Sequence, residues 1–103
     1  MRSPFPKKTY RDNATVYKIL ANPKRLEILN IIKKREACVE DMIKILGISK
    51  ANMSQHLSML RSAGLVRVRR DGLFAHYRIV DPRIVEPCRI LHDMRDRKKL
   101  PPY

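Results

Sequence analysis

The sequence has 103 residues, of which 44% are hydrophobic, and its 23 Lys and Arg residues against 10 Asp and Glu give a net charge of +13. A chain of this length holds one hydrophobic core, its apolar fraction argues against disorder, and no apolar run approaches the roughly 20 residues that cross a bilayer. Because no apolar segment follows the basic N-terminus, we expect no secretory signal and a cytoplasmic location. Such a charge draws a small domain to nucleic acid or to anionic lipid.

The first part of the chain predicts an arm followed by two helices. Residues 1–12 contain two prolines and several cations, and we interpret them as a flexible basic arm. A first helix is expected from Asn13, where Tyr17 and Leu20 belong to a stripe of apolar residues. Asn22-Pro23 predicts the start of the second helix, over PKRLEILNIIKK, because Asn caps helices and Pro is favoured at their first position.

Two further helices are predicted around a tight turn. The segment VEDMIKIL is expected to form a short third helix that Gly47 ends. The segment SKANMSQHLSMLRSA is expected to form the fourth helix, with Ser49 as its N-cap and Gly64 as its stop. Two helices joined by about three residues that include glycine are typical of a helix-turn-helix.

After the fourth helix, apolar and polar residues alternate, which predicts two strands over LVRVRR and LFAHYRI. Asp71-Gly72 between them favours a two-residue hairpin turn. In that register Val66 lies opposite Tyr77, and Val68 opposite Ala75. A hairpin in this place is a wing, so the predicted fold class is a mainly α winged helix-turn-helix with about five helices and two strands.

A last helix is predicted from Asp81-Pro82 onwards. Pro87 lies inside this segment and leaves two alternatives, a kinked helix or a helix that starts later. We therefore expect one DNA-binding and dimerisation domain over residues 13–97, preceded by the arm and followed by a basic tail over residues 98–103.

The fourth helix indicates what the protein binds. Helical spacing turns Met53, Leu57 and Leu60 inward, and the opposite face holds small or amide side chains that suit the major groove of DNA. The arginines of the wing indicate phosphate or minor-groove contacts, although a solvated hairpin face would look the same. The predicted DNA-binding residues are Lys50, Ala51, Asn52, Ser54, Gln55, Ser58, Arg61, Arg67, Arg69 and Arg70.

Other functions find less support in the residues. His56 has no second metal ligand three or four residues away, so we interpret it as a structural or phosphate-contacting residue. The sequence has no nucleophile–base pair, no paired carboxylates and no ligand cluster, which argues against an enzyme. The cations are spread over arm, wing and tail, whereas a membrane-surface module would collect them on one amphipathic helix.

Three segments, LANPKRLEIL, SKANMSQHLSMLRSAGLVRVRRDGLFAHYRI and DPRIVEPC, resemble the ArsR/SmtB winged-helix repressors. The resemblance runs from about Ala14 to Leu91. It implies a homodimer, paired through the first and last helices, that binds palindromic operator DNA and releases it when an effector binds. The dimer-interface residues it implies are Tyr17, Ile84, Cys88 and Leu91. The wing departs from the family pattern, which often has Gly-Arg at the tip, where this chain has Gly72-Leu73.

The sensing sites of the family are only partly matched. One family metal site uses Cys-x-Cys at the third helix, and here Cys38 fits the first position while Glu40 replaces the second cysteine. A soft metal ion wants more than one sulfur. Another family site uses Asp and His on the last helix, but Arg83 stands where the first His is expected. His92 and Asp96, one helical turn apart, remain weak metal candidates together with Cys38.

The two cysteines are the candidates for effector sensing. Cys38 is either an inert thiol or a reactive thiolate at a helix start, and Cys88 lies on an apolar stripe where packing is the simpler interpretation. In a reducing compartment both are expected as free thiols. Release from DNA by a soft metal, a metalloid ion or thiol oxidation is one hypothesis, and a winged helix without metal or thiol sensing is the alternative.

Overall fold

The computed structural model describes residues 1–97 and 99–101 and has the predicted winged helix-turn-helix fold. Part of the predicted basic tail, residues 98, 102 and 103, lies outside the described residues. Among those described, no helix has the length and apolar character that a bilayer span needs. The elements in chain order are α1 (Lys7–Leu20), α2 (Pro23–Ile31), β1 (Ala37–Cys38), α3 (Val39–Leu46), α4 (Lys50–Ser62), β2 (Val66–Asp71), β3 (Phe74–Ile79), a 3-10 helix (Pro82–Val85) and α5 (Glu86–Asp96).

The core lies where α2, α3 and α4 pack together against one face of the sheet. The sheet is antiparallel with strand order β1-β3-β2. Its inner face contributes Val66, Tyr77 and Ile79, each less than 10% exposed. The largest fully buried side chains are Ile28, Leu29, Ile32, Met42, Met53 and Leu60.

Helix α1 begins earlier than predicted, so residues 7–12 belong to a helix and not to an arm. Both prolines precede the first turn, where proline does not interrupt a helix. Lys8 and Asp12, one turn apart, form an ion pair at 2.6 Å, and Thr15 Oγ1 donates to the Arg11 carbonyl at 3.1 Å. These local contacts stabilise the first turns of α1. The prolines and cations of this segment had led to the prediction of a flexible arm.

The predicted caps of α2 and α4 are confirmed. Asn22 Oδ1 accepts hydrogen bonds from the backbone N–H groups of Lys24 and Arg25 at 3.0 and 3.2 Å. Ser49 Oγ accepts from the N–H of Asn52 at 3.1 Å, and Gly47 before it has a φ of +66°, which favours glycine. Helix α2 ends at Ile31, three residues before the predicted end.

The wing hairpin of β2 and β3 belongs to a three-stranded sheet, and its predicted register was wrong by two residues. Val68, not Val66, lies opposite Tyr77, and Asp71 pairs with Phe74. The two-residue loop is therefore Gly72-Leu73, with glycine at the first central position, an arrangement that hairpins favour. The unpredicted strand β1 has two residues and pairs with β3.

Of the two alternatives for the last helix, a kink at Pro87 or a later start, the structure has the later start. A 3-10 helix over Pro82–Val85 precedes α5, which begins at Glu86. Pro87 therefore lies in the first turn of α5, where the missing N–H takes no hydrogen bond away from the helix.

Candidate DNA-binding surface

Helix α4 has the orientation that its sequence predicted. Met53, Leu57 and Leu60 are 0%, 3% and 0% exposed, so this stripe faces the core. The predicted contact residues of α4 are all exposed: Lys50, Ala51, Asn52, Ser54, Gln55, Ser58 and Arg61. The outward face of α4 is thus a row of small and amide side chains with a cation near each end.

A groove runs between α4 and the wing. Its walls are Lys50, Ser54, Ser58 and Arg61 from α4 and Arg70 and Leu73 from the wing, with Glu40 of α3 also present. Three cationic side chains therefore share one concave surface. Such a surface attracts a polyanion, because the cations act on the same region of space.

The three predicted arginines of the wing do not share one environment. Arg70 lies in the groove, whereas Arg67 and Arg69 alternate with the buried face of β2 and point to its other side. Arg69 Nε donates to Glu36 Oε1 at 3.0 Å and to Oε2 at 3.2 Å. This hydrogen bonding lowers the pKa of Glu36 and raises the pKa of Arg69, so both groups stay charged.

A second polar contact joins α4 to the helices behind it. Arg25 of α2 donates through Nε to His56 Nδ1 at 3.3 Å and through a terminal guanidinium nitrogen to the Ile19 carbonyl at 2.9 Å. Partial burial, with Arg25 and Lys24 nearby, lowers the pKa of His56 below its usual 6.5. His56 is thus a neutral acceptor, which agrees with the structural interpretation and gives it a partner.

This lowered pKa makes stability depend on pH. In the unfolded chain His56 takes up a proton at a higher pH than in the folded protein, so the free energy of unfolding should fall as pH drops below about 6.5. Above that pH the stabilisation is fully present. Urea unfolding at a series of pH values should show this decrease in the wild type and not in His56→Gln, which accepts the same hydrogen bond without titrating. Equal pH profiles for the two proteins would contradict the assignment.

The two sensing candidates lie in different elements of the fold. Cys38 lies at the end of β1 and Cys88 in the first turns of α5, and both are free thiols. Cys88 lines two hollows, one beside α1 and one beside Lys33, and Cys38 lines neither. The two thiols do not form a disulfide with each other, and joint binding of one ion by both of them stays a hypothesis.

Of the weak metal candidates, His92 and Asp96 lie together on α5 and Cys38 lies outside their group. His92 Nδ1 is 3.6 Å from Asp96 Oδ2 and 3.5 Å from Asp93 Oδ1, and Cys38 is not among these residues. All three are exposed, and together they offer one imidazole and two carboxylates. Such a donor set does not suit a soft thiophilic ion, which prefers sulfur ligands.

An apolar hollow lies between α1 and the last part of the chain. Its volume is about 340 Å³, and all four predicted interface residues, Tyr17, Ile84, Cys88 and Leu91, line it. Tyr17 is 64% exposed and Leu91 is 41% exposed, which leaves large apolar area uncovered in the single chain. Apolar patches of this kind often mark protein contacts.

Comparison with known proteins identifies the family. The model of the bacterial regulatory proteins of the arsR family matches residues 22–68, from the cap of α2 into the wing. The HTH-type transcriptional regulator Rv0081 of Mycobacterium tuberculosis is 38% identical over 78 residues, which are 75% of this chain and 68% of that protein. The chain belongs to the ArsR family. It is therefore a DNA-binding transcription regulator and not an enzyme, as the sequence predicted.

Solved structures of similar proteins support the ArsR fold over most of the chain. The crystal structure of Rv0081 from M. tuberculosis superposes with a TM-score of 0.75 at 33% identity, covering 90% of this chain and 94% of that one. The homodimeric winged helix-turn-helix DNA-binding domain Mb0332 of Mycobacterium bovis gives a TM-score of 0.77 at 27% identity, covering 99% of this chain and 100% of that one.

A further sequence relative is a probable mercury resistance operon repressor of Streptomyces lividans. It is 37% identical over 73 residues, which are 71% of this chain and 58% of that protein.

Three residues of this ArsR-family surface were not predicted. Arg25 is hydrogen-bonded to His56, 31 residues away in the sequence, and Glu36 to Arg69, 33 residues away. No local sequence pattern reveals such pairs. Leu73 was noted only as a departure from the family's Gly-Arg and was placed at the start of the second strand, whereas the observed register puts it in the turn.

Proposed function

We propose that the protein is a cytoplasmic, homodimeric, sequence-specific repressor that binds palindromic operator DNA. The outward face of α4 carries the proposal, because Gln55 and Asn52 can pair with adenine, Ser54 and Ser58 with several bases, and the methyl group of Ala51 with thymine. Lys50 and Arg61 at the ends of this face, and Arg70 across the groove, are suited to phosphates.

The dimer is proposed from the apolar hollow beside α1 and α5. A second copy that covers Tyr17 and Leu91 would remove exposed apolar area from water. The homodimeric state of Mb0332 supports a dimer for this chain. A two-fold dimer places its two α4 helices on half-sites about one or two turns of DNA apart, so the operator is expected to be an inverted repeat.

Selection of duplexes from a random DNA pool by the purified protein tests the function. The expected result is an inverted repeat, bound by two chains per duplex in analytical ultracentrifugation. Recovery of sequences without a common motif would contradict specific recognition, and one chain per duplex would contradict the dimer.

The wing arginines should differ in their contribution to DNA affinity. Arg70→Ala should weaken binding to all sequences and lower the slope of log affinity against log salt by about one for each phosphate that is no longer neutralised. Arg69→Ala, the matched control, should change the slope less, because Glu36 already neutralises this guanidinium. Fluorescence anisotropy over a salt series measures both, and a larger effect of Arg69→Ala would reverse the assignment.

The proposed effector is a thiol-reactive or soft-metal species that lowers operator affinity. The name of the S. lividans relative makes mercuric ion a suitable probe. Operator binding of the wild type should weaken with mercuric ion or peroxide and recover with dithiothreitol, while Cys38→Ser and Cys88→Ser separate the two thiols. Unchanged affinity in the wild type would contradict sensing and support the alternative, a regulator without thiol or metal response.

A further inference from the structure

The tip of the wing presents an apolar side chain to solvent. Leu73 is 99% exposed, and Phe74 after it is 53% exposed. Leu73 is the second residue of the hairpin loop, a position at which Asn, Asp and Gly are more common. Neither the core nor the turn therefore accounts for a leucine here, and its apolar surface is available to a partner.

The position of Leu73 indicates which partner it meets. Leu73 lines the groove together with Arg70 of the wing and Lys50, Ser54 and Arg61 of α4. The wing tip therefore borders the same concave surface as the outward face of α4. A duplex that accepts α4 in its major groove would bring an adjacent groove against the wing tip.

The charges around the tip are largely balanced. Arg69 is bound to Glu36 and lies 3.9 Å from Asp71, so two carboxylates accompany one guanidinium. Within residues 1–97 and 99–101, Arg70 has no ion pair and is the cation that the wing contributes to the groove. The tip itself is thus poorly suited to phosphate attraction, and its apolar surface is the feature available for contact.

We propose that Leu73 inserts as an apolar wedge into the minor groove beside the bases that α4 contacts, partly unstacking one base step. This inference rests on the proposed DNA-binding function. Leucine and other apolar side chains of minor-groove proteins open base steps in this way and bend the duplex. Because TA and CA/TG steps open most easily, the wedge selects for these steps at the wing position without any hydrogen bond.

Two variants isolate the wedge from the rest of the surface. Leu73→Asn fits the turn and removes the apolar side chain, and Leu73→Met keeps an apolar side chain of similar size. The probe is a duplex selected from a random pool by the wild type, with 2-aminopurine placed in turn at each step outside the α4 half-site. We expect the wild type and Leu73→Met to raise 2-aminopurine fluorescence at one step, and Leu73→Asn to leave it unchanged.

The affinity of each variant for the selected duplex is the second measurement. Leu73→Asn should bind the selected duplex roughly tenfold more weakly, with an unchanged salt slope because leucine neutralises no phosphate. In the wild type, replacing the opened step by GC should weaken binding, and in Leu73→Asn it should have little effect. Circular dichroism is expected to show the same fold for all variants, since the Leu73 side chain is fully exposed at the hairpin tip.

Three results would overturn the wedge. The first is equal affinity of wild type and Leu73→Asn with no fluorescence change at any step. The second is altered self-association of Leu73→Asn without DNA, which would assign the leucine to a protein contact. The third is adsorption of the wild type, and not of Leu73→Asn, to anionic vesicles in the presence of excess duplex. Absence of sequence preference in the wild type would instead contradict the proposed function, and the wedge with it.

Discussion

Gln55→Ala is expected to lower the discrimination between the selected duplex and a mismatched one by about 1–3 kcal/mol. Gln55 lies near the middle of the exposed face of α4, and its amide can donate and accept at one base edge. Because the side chain is exposed, the free energy of unfolding should change by no more than about 0.5 kcal/mol. Competition binding with duplexes altered one base pair at a time measures the effect and locates the base pair.

Ser62→Ala is the matched control for Gln55→Ala. Ser62 is also exposed on α4, but it lies in the last turn and its hydroxyl already donates to the Met59 carbonyl at 2.8 Å. Its replacement should leave discrimination unchanged. If Gln55→Ala has the same specificity ratio as the wild type, α4 does not contact bases through this face.

Arg25→Ala is expected to reduce both stability and DNA affinity. The substitution leaves His56 Nδ1 and the Ile19 carbonyl without their donor, and both hydrogen bonds are partly buried. Removal of such hydrogen bonds costs about 1–3 kcal/mol of unfolding free energy. Because Arg25 links α4 to α2 and to the end of α1, affinity for all sequences should fall even under conditions where the variant is folded.

Lys34→Ala controls for the removed charge. Lys34 is exposed and lies just beyond α2, so its replacement changes the net charge equally without breaking a partly buried hydrogen bond. Urea unfolding and anisotropy should show little change beyond the electrostatic effect on affinity. If Arg25→Ala and Lys34→Ala behave alike, the hydrogen bond between Arg25 and His56 does not hold α4 in place.

The orientation of α4 could be predicted because its three core residues repeat at helical spacing. The cap of α2 could also be predicted, since Asn22 acts on residues two and three positions away. The hairpin register could not, because a shift of two residues keeps the same side chains on the same face and the alternation is satisfied by both registers. Strand β1 was missed because two residues are too few to show alternation.

Features of the candidate site that depend on a single helix could be predicted from the sequence. Features that depend on how two elements pack together could not. Exposure of Gln55 and Ser58 follows from one helix alone. That Arg70 and not Arg69 enters the groove depends on how the wing lies against α4 and on a carboxylate far away in the sequence. Such arrangements arise from tertiary packing, which no local pattern in the sequence encodes.

Strand β1 helps to fix the position of the wing relative to α4. It ends at Cys38, directly before α3, and its pairing with β3 ties the helix-turn-helix to the wing at that end. At the other end, α4 leads into β2 through only three residues, 63–65. Because the wing is joined to the helix-turn-helix through β1 and through residues 63–65, the backbone sets the separation between α4 and the wing tip. In the proposed complex, a base pair inserted between the DNA segments contacted by α4 and by the wing tip would move one of these segments out of reach, so spacing along the duplex would become part of what the protein recognises.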